Sequence, residues 1–328
     1  MKRALRWALG AVGIALAVAG LGLARAHLEI RSRDPELPSD AEVQALVAGA
    51  AGGPVAVAWH ETSRQPMPRA QVLDPKADAG AGAPYVMSHP SFALVFPAGR
   101  LLLVDLGMER DAALAFGRPL EWVGAAPAEF LLGSAAALGP AASRVAGVIF
   151  THLHTDHVEG VLALCAARSG AELPVFQTAA QADLVNYTTR PGRRLLDQAG
   201  CVRHERLPDA RLAGVPGFPG VGVVDAAGHT PGSQVVLAVV AGEAGPRRLA
   251  FTGDVVNHVE GIHQNVRKPP LYSWLVVPES ELRLARMRLW LRHLERDLGF
   301  ELAVAHDEAQ LASLALPGFE TLRGAESR

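Results

Sequence analysis

The stretch Thr151-His152-Leu153-His154-Thr155-Asp156-His157 decides how the rest of this chain is read. It follows an apolar, strand-like run, Val145 to Phe150. Residues two apart in an extended segment point to the same side, so His152 and His154 can close on one cation. The chain must then turn, and Asp156 and His157 offer two more donors at the start of a predicted helix, Val158 to Arg168. Asp156 fits the N-cap of that helix, with Glu159 three residues on as its capping-box partner. Imidazole and carboxylate at this density suit a borderline-soft divalent ion such as zinc. The competing reading is a polar loop with chance histidines, and the rest of the chain weakens it.

Three later segments repeat the pattern of an apolar run that meets a donor. Gly228-His229-Thr230-Pro231-Gly232-Ser233 sets a histidine in a turn bounded by glycine and proline. Phe251-Thr252-Gly253-Asp254 ends a run with a carboxylate, and Ala303-Val304-Ala305-His306-Asp307 ends another with a histidine. Strand ends of this kind hold side chains rigidly at one edge of a sheet.

With these residues in this order, the chain resembles the metallo-β-lactamase superfamily over roughly residues 50 to 312. The resemblance rests on HxHxDH at 152–157, then His229, Asp254 and His306. It implies a four-layered αββα sandwich, two stacked sheets with helices outside; periodicity alone supports only the α/β class. It also implies two divalent ions, zinc foremost. His152, His154 and His229 hold one, Asp156, His157 and His306 the other, and Asp254 bridges them. The expected nucleophile is a metal-bridging hydroxide, with no covalent intermediate on the protein. Asp156 is the expected catalytic residue, placed to orient that hydroxide and relay its proton. Because the imidazoles must be neutral to bind metal, activity should fall in acid.

The same resemblance narrows the reaction to a dinuclear hydrolase of an ester-like bond in a small molecule, a lactone first. Thioesters, phosphodiesters and β-lactams are the alternatives. Class B β-lactamases look similar at HxHxDH but lack the bridging aspartate. Flavodiiron proteins carry glutamate where this chain has His154. Ala305-His306-Asp307 with Gln310 is similar to the His-Asp-x-x-Gln region of acyl-homoserine lactone lactonases. The chain departs from those in its leader and in having Val255 and Val256 after Asp254, with no tyrosine close by. A mononuclear iron oxidoreductase resembling persulfide dioxygenases is the rival enzyme class. An envelope protein with a silent metal site is the non-enzyme rival, disfavoured by a complete donor set.

Residues 1 to 26 read as a targeting segment outside the catalytic domain, which then spans 27–328. Lys2, Arg3 and Arg6 precede an uncharged run from Trp7 to Leu23, and Ala24-Arg25-Ala26 fits a cleavage site before His27. The run is also close to spanning length, so an uncleaved membrane anchor is the rival. Either way the domain is exported, periplasmic or on the outer side of the inner membrane. The two cysteines, Cys165 and Cys201, have no zinc-motif spacing, and pairing and separate burial both stay open. With 31 basic against 33 acidic residues, nothing points to nucleic acid as a partner. Oligomeric state is not legible.

The remaining chain alternates strand-like and helical patterns. Val55 to Trp59, Phe92 to Phe96 and Leu101 to Asp105 read as strands, and Glu281 to Leu298 as a long amphipathic helix. An alanine-rich stretch, Pro127 to Gly139, predicts another helix. His60 to Pro90 is rich in Pro, Gly and Ala and reads as a long insertion. Its Met67, Tyr85 and Met87 would form an apolar flap over the metals, or the segment is a solvated connection. The segment after Asp254, with Asn257, Lys268, Tyr272 and Trp274, is a candidate substrate wall. His89 is ambiguous.

Overall fold

The structure, a computed structural model, describes residues 2–242 and 245–323. Met1, residues 243–244 and residues 324–328 lie outside the described residues, so the last positions of the expected 27–328 domain fall there too.

Two helices, α1 (Lys2–Ser32) and α2 (Asp40–Ala48), lead into the first half. That half contains β1 (Ala56–Pro68), β2 (Pro84–Val95), β3 (Leu101–Val104), α3 (Arg110–Glu121), β4 (Glu129–Phe130), α4 (Ser134–Leu138) and β5 (Val145–Ile149). It ends with α5 (Thr155–Val158), α6 (Val161–Ala167), β6 (Leu173–Gln177), α7 (Ala179–Asp183), α8 (Arg190–Gln198) and β7 (Val202–Arg206). The second half contains β8 (Ala213–Val215), β9 (Phe218–Asp225), β10 (Gln234–Val240), β11 (Arg247–Phe251) and α9 (Glu260–His263). It closes with α10 (Glu281–Leu298), β12 (Phe300–Ala303) and α11 (Glu308–Ser313).

The strands form a seven-stranded sheet, β4-β1-β2-β3-β5-β6-β7, and a five-stranded sheet, β12-β11-β10-β9-β8. Phe92, Leu94, Leu102, Val104 and Ile149 of the first interleave with Val223, Val236, Ala238, Leu249 and Phe251 of the second. The rings of Phe92 and Phe251 sit 4.8 Å apart across this layer. The other face of the first sheet packs Leu103 and Val148 on Leu138 of α4 and Leu164 of α6. The other face of the second packs Val235, Leu237 and Ala250 on Leu284, Leu291 and Leu294 of α10. Apolar side chains on both faces explain why β10 reads Gln-Val-Val-Leu-Ala-Val-Val without alternation. This is the expected αββα sandwich.

Several local expectations are corrected. Residues 60–90 are mostly a hairpin rather than one long loop: β1 and β2 pair antiparallel from Ala56/Val95 to Pro68/Pro84, and only the connection over 69–83 lies outside the strands. Met67, Tyr85 and Met87 lie buried with Val72 in a small core of their own. The alternation was masked because polar residues on this hairpin, Thr62, Ser63 and Gln65, are buried as well. Asp156 is not an N-cap; it sits in the first turn of α5, whose cap position is His154. Glu159 instead accepts a hydrogen bond from the Glu109 backbone N–H at 2.6 Å, and the helix breaks before α6. A capping box does occur at Ser39 and Glu42, where α2 begins. The alanine-rich stretch yields only β4 and the one-turn α4.

The cysteines are paired. Cys165 on α6 and Cys201 before β7 form a disulfide with Cα atoms 5.8 Å apart. Helix α1 does not stop at the expected cleavage motif. It runs on to Ser32, and Ala26 and Ile30 are buried against the domain. Leu9–Ser32 is long and apolar enough to cross a membrane by length and composition, with a mean hydropathy of 1.8.

Candidate metal centre

All seven expected donors converge, because each stands where a strand or its turn reaches the same edge of the sandwich. His152 and His154 follow β5, Asp156 and His157 lie on α5, His229 lies between β9 and β10, Asp254 follows β11 and His306 follows β12. Gly253 lets Asp254 approach: its φ is +50°, and a Cβ there would stand 2.7 Å from Thr151 Cβ. Six of the seven are buried, with His154 half-buried.

The donors divide around Asp254. Its Oδ2 lies 3.3 Å from His229 Nε2 and 3.9 Å from His152 Nε2. Its Oδ1 lies 3.2 Å from His157 Nε2 and 3.0 Å from His306 Nε2. His154 Nδ1 joins the first group, 3.2 Å from His229 Nε2. Asp156 Oδ2 joins the second, 3.5 Å from His157 Nε2 and 3.6 Å from His306 Nε2. Donor atoms of His152, His154, His229 and Asp254 lie within 4.8 Å of one another, as do those of His157, Asp254 and His306, so one carboxylate faces both; Asp156 clusters with His306 and His89. Among the described residues, His152 Nε2, His157 Nε2 and Asp254 Oδ1 are buried without a hydrogen-bond partner. Buried polar atoms are normally satisfied, so orphans aimed at two common points fit two metal ions.

Outer partners fix the rings, the usual way of setting an imidazole's tautomer and angle. His157 Nδ1 lies 2.9 Å from Asp105 Oδ2, and Asp105 also accepts from the Thr151 backbone N–H at 2.7 Å and the Thr151 hydroxyl at 2.8 Å. His306 Nδ1 lies 2.7 Å from the Ser88 carbonyl oxygen. His229 Nδ1 lies 2.6 Å from Glu279 Oε1. Lys268 Nζ, itself buried, donates to Glu279 Oε1 at 2.9 Å and to the Asp254 carbonyl at 2.7 Å.

These surroundings set opposite proton affinities. Burial, with charge repulsion from neighbouring imidazoles, pushes His152 well below its usual range and His154 down to about 3. Burial and Lys268 lower His229 too. At His157 burial also opposes the charged ring, but Asp105, Asp156 and Asp254 outweigh it and hold the group well above its usual range. His306 is raised in the same way: burial opposes, Asp254 and Asp156 win.

Asp105, Lys268, Glu279 and Tyr272 are the residues that the sequence reading missed or left unassigned. Asp105 ends an apolar run just as Asp254 does, so its signal was present. Lys268 and Tyr272 belong to the candidate substrate wall, now given specific contacts. No tyrosine follows Asp254 closely in sequence, but Tyr272, 18 residues on, lies within the field of Asp254. Its phenol is pushed well above its usual pKa by burial and then by the fields of Glu279, Asp254 and Asp156. His89 falls beside the second group; His60, His204, His263 and His293 are outside the donor clusters. Gln310 is structural: its Oε1 accepts from the Val304 N–H at 3.1 Å and steadies the turn that carries His306.

The model of the metallo-beta-lactamase superfamily matches residues 86–289. The chain belongs to that superfamily, and with its cluster of histidine and aspartate donors it is a metal-dependent hydrolase. Solved structures share the fold at low identity. One is an N-acyl homoserine lactone hydrolase with the product N-hexanoyl-L-homoserine at its catalytic metal centre. It is 16% identical, with 80% of this chain and 96% of that one covered and a TM-score of 0.56. A B. thuringiensis protein with N-decanoyl-L-homoserine at its active site aligns with the same identity and coverage at a TM-score of 0.57. A probable metal-dependent hydrolase from Staphylococcus aureus is 12% identical, with 78% and 90% covered and a TM-score of 0.52. No curated protein sequence matches the chain.

Proposed function

We propose that this protein is a dinuclear zinc hydrolase that opens an ester-like bond in a small molecule, a lactone first. The observation that carries the reading is the split environment of Asp254, one oxygen turned to each donor group. His152, His154 and His229 would hold one ion, Asp156, His157 and His306 the other, and Asp254 both. Two such ions, when bound, polarise a substrate oxygen and bring the pKa of water toward neutrality. The chain's own part is then orientation and proton handling. Asp156 turns Oδ2 toward the second group, and its other carboxylate oxygen would be the acceptor for the proton that the attacking water gives up. Although burial opposes ionisation, His157 and His306 keep its carboxyl below the usual range. Tyr272 keeps its proton, so its hydroxyl is a donor for the substrate carbonyl.

A lactone is favoured by the bound N-hexanoyl-L-homoserine in a protein of the same fold and by an apolar wall. Leu271, Trp274, Leu275 and Val276 are exposed on the segment that also supplies Lys268 and Tyr272. A screen of lactones, thioesters, phosphodiesters and β-lactams with zinc-loaded protein tests the reading. Ring opening of acyl lactones ahead of the other three, with near two zinc per chain, is expected. One iron per chain and no hydrolysis would replace it with the oxygenase reading.

We also propose that the domain is exported and held at a membrane by an uncleaved α1. The helix passes through the cleavage motif without interruption, and His27 Nε2 lies 3.0 Å from the Trp274 carbonyl oxygen. The apolar wall thus adjoins the helix that would enter the bilayer, and large exposed apolar patches mark such surfaces. A disulfide also suits an oxidising compartment. The chain should pellet with membranes and retain its leader; soluble protein beginning at His27 would overturn the anchor.

A further inference from the structure

His89 lies on β2, remote in sequence from every segment that supplies the seven donors, yet its ring reaches the second half of the centre. Its Nε2 stands 3.9 Å from Asp156 Oδ2, and its ring meets that of His306 edge-on at 5.3 Å between centroids. One donor atom each from His89, Asp156 and His306 falls within 4.8 Å of the others. The side chain is 3% exposed. Its Nδ1 lies 3.2 Å from the Ser63 hydroxyl, whereas Nε2 is buried with no hydrogen-bond partner among the described residues. A histidine that merely packs in a core rarely leaves a ring nitrogen unsatisfied, because that costs about 1–3 kcal/mol.

We propose that His89 Nε2 is an additional donor to the second metal, alongside Asp156, His157, His306 and Asp254. The inference rests on the dinuclear reading and goes beyond it. Donors sharing a zinc ion at about 2.0–2.1 Å stand at most about 4.2 Å apart. The contact of His89 with Asp156 is inside that limit, as are those of Asp156 and Asp254 with His157 and His306; His89 clusters with Asp156 and His306, on the side of the position away from Asp254. Coordination through Nε2 requires the ring proton on Nδ1, where the Ser63 hydroxyl can accept it. The two positions then differ in kind: the first has four protein donors, the second five. Zinc tolerates five-coordination, so the second ion would be held more by protein and less by solvent or substrate.

The test uses the full chain with the variants His89→Ala and His89→Gln, the second able to fill the same space if the first fails to fold. Zinc is titrated against a competing chelator, and the visible spectrum is recorded after loading with cobalt(II). Wild-type protein should show two loading steps. In both variants one step should weaken by at least about tenfold while the other stays in place. The cobalt absorption should intensify as a five-coordinate ion becomes four-coordinate. Two steps of unchanged affinity and an unchanged spectrum in both variants would overturn the role of His89 and leave the dinuclear reading standing. A single step in wild-type protein would overturn the dinuclear reading and the inference with it.

Discussion

The two sides of Asp254 use the same device, a buried carboxylate behind a histidine, with opposite electrostatic results. Behind His229 stands Glu279, whose charge is shared with Lys268 2.9 Å away; the ring's proton affinity falls. Behind His157 stands Asp105, which also accepts from the Thr151 N–H and hydroxyl; with Asp156 and Asp254 adding to its field, the ring's proton affinity rises against burial. A carboxylate orients an imidazole in both places, but burial together with Lys268 lowers the proton affinity of His229, while Asp105, Asp156 and Asp254 together outweigh burial at His157. On that contrast the first position is expected to take a metal at neutral pH with little proton release, and the second to release protons as it takes one.

The largest effect should come from removing what the two sides share. Asp254→Ala should lower bound metal from two ions toward one. It should reduce kcat/KM by at least about a thousandfold, since metal stabilisation of the transition state is worth several kcal/mol. Full occupancy with ordinary turnover in that variant would sink the dinuclear centre. Next come the outer carboxylates. Glu279→Ala should weaken one zinc-loading step and Asp105→Ala the other, each by about 10–100-fold. If both variants weaken the same step, the division of the donors around Asp254 is wrong.

Proton competition sharpens the contrast. Metal can bind only a neutral imidazole, and His157 and His306 are raised while His152, His154 and His229 are lowered. From pH 8 to pH 6, the second step should lose about tenfold in affinity per pH unit for each proton displaced, and the first should change little. Calorimetric zinc titrations in buffers of different ionisation enthalpy count those protons directly. Equal proton release at both steps would erase the comparison.

How much of this was legible follows from where the signals lie. HxHxDH, His229, Asp254 and His306 are each local patterns, a donor at the end of an apolar run, so the donors needed no tertiary information. The pairs that tune them are not local: Asp105 and His157 are 52 residues apart, Glu279 and His229 50. A single buried glutamate or lysine has no periodicity to announce it. Asp105 could have been found, since it ends the Leu101 to Asp105 run. The β1–β2 hairpin was lost for a different reason. Prolines and glycines near its turn read as loop, and burial of polar side chains along it removed the alternation. His89 was ambiguous for the same reason, since its meaning depends on the strand that carries it.

The smallest expected effect extends the comparison to a third carboxylate, the half-buried Glu61, away from the donors. Glu279, with Lys268 beside it, is held down to about 2 although burial pushes the other way. Glu61, on β1, is pushed up to about 7 by burial first, with Glu308 and Glu129 adding to it. Its nearest cation, Arg64, is 3.9 Å away and is engaged by Glu129 at 2.9 Å and Glu308 at 3.2 Å. A carboxyl raised in the folded state favours folding below its unfolded pKa of 4.5 and loses that contribution as pH rises through about 7. By pH 8 the ionised Glu61 should cost on the order of 1–3 kcal/mol. Glu61→Gln should therefore gain stability relative to wild type between pH 5 and pH 8, read as a difference in urea midpoints with metal saturating in both. The gain should be smallest at pH 5 and largest at pH 8. A difference that stays constant across that range would show that Glu61 ionises freely, and that burial without a cation does not by itself control charge in this fold.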